Sequence, residues 1–332
     1  MLRLALGFLA ACSAPPALAQ TEHYIAVEDR VVEPARPIAV IIPQEELATS
    51  LELGRIAPIE GGLIGALIDK RPEKLAQGAA AKAYGFAAPL NQAIADFDAR
   101  PLALAATQQA LSQAEWFAVS TPDVLSGASM AKTAGTPDAN GGDTTVNMTY
   151  STGAFGSEPN ETVGARTWKR ERDRLESGYA AAHPEATEIA VVTWRYQLSP
   201  DFTNIRVIAD VATRRPQDPS RLYEQQVLSI VKLRRPSFVE EENVAKWAAN
   251  DGALARKALE MAFARVGEVL PAILALDEQG YDGATDKKKG PAVTAAGFQG
   301  PELMRDAKGP VFYSRDGDQR LRAFVTVQTL AN

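Results

Sequence analysis

The stretch from Ile189 to Leu233 constrains the fold of this chain more than any other. Val192, Trp194, Tyr196 and Leu198 alternate with polar neighbours, Ser199-Pro200-Asp201 turns the chain, and Ile205, Val207, Ala209 and Val211 alternate again. A third segment puts Val227, Ser229, Val231 and Leu233 on one face and Leu228 and Ile230 on the other. A period of two belongs to strands, whose side chains point to opposite faces in turn, and short polar turns between such segments predict an antiparallel meander.

Other segments are assigned around this anchor. Ile38-Ala39-Val40-Ile41-Ile42, β-branched and flanked by prolines, reads as a strand buried on both faces. Phe86, Leu90, Ile94 and Phe97 recur at helical steps, and Pro101 suits the first turn of a second helix with Leu102, Ala105 and Leu111 facing inward. Trp116 to Val119 reads as a short strand ending at Thr121-Pro122. Trp168 to Ala182 returns to helix, stopped by Pro184.

Ser237-Phe238-Val239-Glu240 has the spacing of a capping box, and Glu240, Glu241 and Glu242 favour the positive end of a helix dipole. Beyond Asn250-Asp251-Gly252 an apolar stripe from Leu259 to Ile273 predicts a long helix ended by Gly280, with a kink at Pro271. Residues 278–310 read as loop, with Lys287 to Lys289 at an exposed tip. Val311–Arg315 and Arg320–Val327 form a hairpin around Asp316-Gly317.

The expected fold class is therefore α/β in the α+β sense: a mixed, largely antiparallel sheet with a three-stranded meander and a C-terminal hairpin, packed by several helices. Two isolated strands make no stable sheet, so the strands of the first half are expected to join the second half's sheet. Residues 20–332 would then form one integrated domain, with a flexible insertion at about 126–165 rich in Gly, Ser, Thr and Asn. That insertion carries one alternating stretch, Val146, Met148 and Tyr150. Two domains separated by it are the alternative.

The N-terminus predicts where the protein works. Residues 1–19 begin with Arg3, continue through an apolar run from Leu4 to Ala11 and end in Ala17-Leu18-Ala19, the order of a secretory signal peptide with its cleavage site. Export to the periplasm follows. Leu9-Ala10-Ala11-Cys12 also has the form of a lipobox, in which an acylated Cys12 would tether the protein to the outer membrane as a lipoprotein. Cleavage before Gln20 is preferred, because the run before Cys12 is short and the Ala-x-Ala site is well formed. Losing Arg3, the only charged residue of 1–19, would take the net charge from -6 to -7. No later stretch reaches the roughly 18 apolar residues of a membrane span, and Gly61 to Ile68 reads as a buried helix start.

Composition narrows the chemistry. A net charge of -6 offers no positive field for a polyanion, so nucleic acid is not an expected partner. One Cys and two His leave little for zinc, iron–sulfur or thiol chemistry. No Gly-x-Gly-x-x-Gly or Walker loop follows a strand, so no cofactor is expected. Asp138 to Asp143 lacks the acidic closing position of a calcium loop and reads as a solvated turn, so no metal is expected.

Ser129-Met130-Ala131-Lys132 has the Ser-x-x-Lys spacing that would let Lys132 act as base toward Ser129, which defines the rival function, a periplasmic serine hydrolase. The supporting Ser-Asp-Asn and Lys-Thr-Gly elements are missing. His23 and His183 have no nucleophile elbow beside them and read as exposed or turn residues. On a helix over 166–182, Arg166, Arg170 and Arg174 share one face that could grip a phosphate or carboxylate of an envelope component. The pairs Lys169–Asp173 and Arg172–Glu176 make the same face equally readable as a salt-bridged surface.

Gly-Gly-Leu-Ile-Gly-Ala-Leu-Ile-Asp at 61–69, Ala-Pro-Leu at 88–90 with Asp96-Phe97-Asp98, and Tyr-Gln-Leu-Ser-Pro-Asp-Phe at 196–202 together resemble uncharacterised secreted proteins and predicted lipoproteins of Proteobacteria. The resemblance implies export and an envelope role and assigns no catalytic residue. The expected function is that of a non-enzymatic binding or assembly module of the periplasm or outer membrane, whose partner is another envelope protein or an anionic envelope component.

Overall fold

The computed structural model describes residues 23–26, 30, 35–44, 46–49, 85–114, 121–126, 165–286, 292–315 and 322–330. The meander forms as its alternation requires, with β4 (Ile189–Leu198), β5 (Asn204–Arg214) and β6 (Arg221–Lys232) joined antiparallel along nearly their full length. Its two flanks receive the remaining strands. On one side β1 (Ile38–Ile42) lies parallel to β4, and β3 (Asp123–Ser126) lies parallel to β1. Short β2 (Ala48–Thr49) continues along β4 beyond β1. On the other side β10 (Arg322–Thr329) runs parallel to β6 and is followed outward by β9 (Gly309–Arg315), β8 (Phe298–Asp306) and β7 (Ala292–Ala295), all antiparallel. Among the described residues one ten-stranded mixed sheet thus draws strands from both halves of the chain.

The main core lies on the face to which Val40, Val192, Trp194, Ile205, Val207, Val227 and Phe324 point. Among the described residues four helices contribute to it: α1, whose described residues are 85–93, α2 (Arg100–Leu111), α4 (Glu240–Leu274) and, through Tyr281 and Ala284, α5 (Glu278–Thr285). Among the described residues the opposite face is covered in two separate places. α3 (Ala165–Ala182) brings Tyr179 and Ala180 onto Ala39, Ile41 and Val191. At the other end Val293, Ala295 and Phe298 of the β7–β8 hairpin pack on Ile208, Leu228, Ile230 and Phe312. Phe298 lies under the Arg206 guanidinium, 5.6 Å from ring centroid to Cζ, although three strands separate β8 from β5. The sheet therefore curls, as strongly twisted sheets of this width do.

Several expectations are corrected. The inner face of α2 is Ala103, Ala106, Thr107 and Ala110 with Leu111, whereas Leu102 is half-buried and Ala105 exposed. Small residues face inward because α4 approaches closely there: a Cβ on Gly267 would sit 3.0 Å from Ala106 Cα and 3.1 Å from its carbonyl oxygen. Thr107 Oγ1 donates to Ala103 O at 2.8 Å and accepts from Trp194 Nε1 at 3.0 Å, which fixes α2 to β4.

Ile94 and Phe97 follow α1 in a turn and a loop. The non-helical dihedrals of α4 lie at Ala249 to Gly252, not at Pro271, and Asn250, Asp251 and Gly252 are all left-handed. These residue types tolerate that conformation best. The end of α1 packs into the break, where Arg256 donates to Asp251 O at 3.0 Å and Ala93 O at 2.9 Å and pairs with Asp96.

The capping box does not form. Val239 is the N-cap, Ser237 Oγ accepts from Val239 N at 3.1 Å, and the buried Asn243 amide accepts from Ser237 N at 2.7 Å in place of the Glu240 carboxylate. The acidic first turn is present. Residues 278–310, read as loop, contain α5 (Glu278–Thr285), capped by Asp277 through Gly280 N, and strands β7 and β8. Gly280 therefore lies inside a helix. The β8 pattern is weak because most of its residues are half-buried or exposed, with no clean alternation between faces, and a bulge interrupts β8 between Glu302 and Met304. β3, which the sequence pattern did not predict, follows Pro122; Trp116 to Val119, the glycine run 61–68, the insertion strand at 146–150 and Lys287 to Lys289 lie outside the described residues.

Candidate functional site

Between its two covers, the second sheet face carries a row of charged side chains. Arg195 on β4 donates to Asp210 Oδ2 on β5 through Nε at 3.1 Å and Nη2 at 2.8 Å, and Gln226 on β6 donates to Asp210 Oδ1 at 2.5 Å. Burial alone would raise the Asp210 carboxyl. The charge of Arg195, hydrogen bonds from Gln226 and Arg195, and the charge of Arg221 outweigh it and hold the carboxyl below its usual range.

Glu176 of α3 sits 5% exposed among cations, 3.3 Å from Arg214 Nη1 and 3.7 Å from Arg221 Nη2, and Arg221 also pairs with Glu224. Here the structure departs from the sequence pairing, since Arg172 bonds Asp173 at 2.7 Å and leaves Glu176 to the sheet. The row is internally matched, carboxylate to guanidinium, and its chemistry is that of a structural network.

Arg174, the one member of the predicted arginine face whose side chain is described, is exposed and bidentate to Glu171 at 2.5 and 2.9 Å. The side chains of Arg166 and Arg170, and all of Cys12, Ser129, Lys132 and Asp138 to Asp143, lie outside the described residues. His23 is engaged at both nitrogens: Nδ1–H donates to Glu224 O at 3.0 Å, and Nε2 accepts from Arg322 Nη1 at 3.2 Å. His183 follows the last turn of α3, its ring 4.5 Å from that of Tyr179. Among the described residues no group of three His, Cys, Asp or Glu could hold a metal ion, and no helix is long and apolar enough to cross a membrane.

A cleft, which the sequence did not reveal, opens on the other side of β4. Its volume is about 240 Å³, and Glu46, Leu47, Asn91, Ile94, Ala95, Phe97 and Tyr196 line it. The local cause is the gap between β1 and β2. Gln44 fills that gap as a substitute peptide group: its Nε2 donates to Tyr196 O at 2.7 Å and Glu46 O at 2.8 Å, and its Oε1 accepts from Tyr196 N at 3.4 Å. The chain between the two strands thus lifts off the sheet while the β4 ladder stays satisfied.

Opposite it stands the end of α1, held by the Arg256 contacts to Ala93 and Asp96. Glu46, Asn91 and Tyr196 therefore line the cleft beside the apolar Leu47, Ile94, Ala95 and Phe97, and the volume lies below the roughly 300–1,000 Å³ of drug-sized pockets. Asn91 Oδ1 is buried without a donor among the described residues. A buried amide oxygen of this kind is costly unless something else recovers the loss.

Comparisons of the chain with protein families, with curated proteins and with solved structures found no match.

Proposed function

We propose that this chain is an exported protein of the bacterial envelope that works as a non-enzymatic binding module, with its ligand seated in the cleft between α1 and the β1–β2 connection. The observation that carries the reading is the cleft itself, where Glu46, Asn91 and Tyr196 converge among Leu47, Ile94 and Phe97. Both walls are braced, one by the Gln44 bridge and one by Arg256, so a ligand meets a site already formed. The N-terminal signal pattern supports the periplasm as its location, with an outer-membrane tether through Cys12 as the second form of the same reading.

Native mass spectrometry of the protein recovered from the envelope fraction tests location and binding together. The expected species begins at Gln20, or at an acylated Cys12, and carries a small bound molecule that is lost in Ala95→Trp, a substitution of an exposed lining residue that fills the mouth and leaves the core untouched. A cytoplasmic chain retaining residues 1–19 overturns the location. An envelope protein carrying no bound molecule, or one unaffected by Ala95→Trp, overturns the binding reading.

A further inference from the structure

The described residues include three exposed large hydrophobic side chains, and two are neighbours: Phe238, fully exposed, and Val239, 47% exposed. They stand at the start of α4 on a loop that is firmly built. The Asn243 side chain, 1% exposed, accepts from Ser237 N at 2.7 Å and donates to Ser237 O at 3.0 Å and Asp201 O at 3.2 Å. Lys246 Nζ caps Arg235 O at 3.0 Å, and the adjacent Trp247 Nε1 anchors α4 to Phe202 O at 2.7 Å. A loop held from within in this way presents its apolar pair with little conformational entropy left to lose, the condition under which a single aromatic side chain becomes a binding hot spot.

The charges around the pair indicate what covers it. Exposed Arg234 and Arg235 precede it, and Glu240, Glu241 and Glu242 follow it. An anionic membrane would welcome the first group and repel the second. A surface ordered basic, apolar, acidic is complementary to itself when turned through a two-fold axis, because the arginines of one copy then meet the glutamates of the other and the apolar pairs meet at the centre.

We propose that the segment 234–242 is a homodimerisation surface, joining two copies of this chain antiparallel about Phe238. With few apolar groups per copy the contact falls below the ~1,200 Å² of stable interfaces, so the dimer is weak and concentration-dependent.

Sedimentation velocity of the purified protein from about 1 µM to 1 mM, at low and high salt, tests this. The expected result is a dimer that grows with concentration and weakens with salt. Phe238→Ser, at a fully exposed position, keeps the melting temperature and raises the dissociation constant roughly tenfold or more. The double variants Arg234→Glu/Arg235→Glu and Glu241→Arg/Glu242→Arg are each monomeric alone and form a heterodimer when mixed. A monomer across the whole range overturns the proposal, as does unchanged dimerisation of Phe238→Ser or failure of the mixed charge variants to associate. Binding of the wild type, but not of Phe238→Ser, to vesicles of phosphatidylglycerol and phosphatidylethanolamine without self-association assigns the surface to lipid instead.

Discussion

Asp210→Asn isolates the charged row behind the meander. In the native sheet the Asp210 side chain is 7% exposed and that of its partner Arg195 17%. The Asp210 oxygens accept two hydrogen bonds from the guanidinium and one from Gln226. An asparagine keeps one acceptor oxygen, loses the charge, and turns an NH2 toward one of two donors. Removing one partner of a buried pair costs about 3–5 kcal/mol, and the residual hydration open to Arg195 places this case near the lower end, at about 3 kcal/mol.

Arg195→Met combined with Asp210→Leu removes both charges and is expected to lie within about 1.5 kcal/mol of the wild type. Equilibrium urea unfolding followed by tryptophan fluorescence gives these differences, since Trp194 and Trp247 are fully buried. The pH dependence supplies an independent check. A carboxyl whose folded pKa is depressed contributes its full stability above the unfolded value of about 3.9, and loses it as pH falls through the folded value. The Asp210→Asn penalty should therefore be complete at pH 7 and shrink below about pH 4, as the wild-type carboxyl itself becomes protonated. A penalty under about 1 kcal/mol at pH 7, or one that persists undiminished in acid, refutes the assignment.

Two further substitutions probe the close approaches. At Gly267 the contact with Ala106 opposes the helix-propensity gain of alanine, so Gly267→Ala should change stability by less than about 1 kcal/mol while Gly267→Leu lowers it by about 2 kcal/mol or more in the same urea experiment. Near-equal values would show that α2 and α4 are not in contact there. A Cβ at Gly300 would overlap the Tyr313 carbonyl across the β8–β9 ladder, so Gly300→Ala should open that hairpin. Hydrogen exchange then accelerates at β8 and β9 amides while β4 and β5 stay protected, and unchanged exchange at β8 and β9 would contradict it.

The sequence by itself determined the elements whose residues answer to neighbours along the chain. Alternation in β4, β5 and β6 fixes which side chains share a face, the prolines and β-branched run define β1, and the acidic turn at Glu240 to Glu242 marks the start of α4. Each of these signals is local, because backbone geometry imposes a period of two or 3.6 wherever one face is buried.

Tertiary structure alone decided what depends on residues far apart in the chain. The alanine face of α2 makes sense only opposite Gly267, and Glu176 turns from its helical neighbour Arg172 to Arg214 and Arg221. β7 and β8, partly buried and too irregular to show a period, are held by the pairing of β7 with β8 and of β8 with β9 and by their packing on Ile208 and Leu228. The cleft is likewise assembled from three segments, around residues 46, 91–97 and 196. Burial and electrostatic pairing are set by proximity in space, and sequence patterns reveal that proximity only where the neighbours in space are also neighbours along a helix or strand.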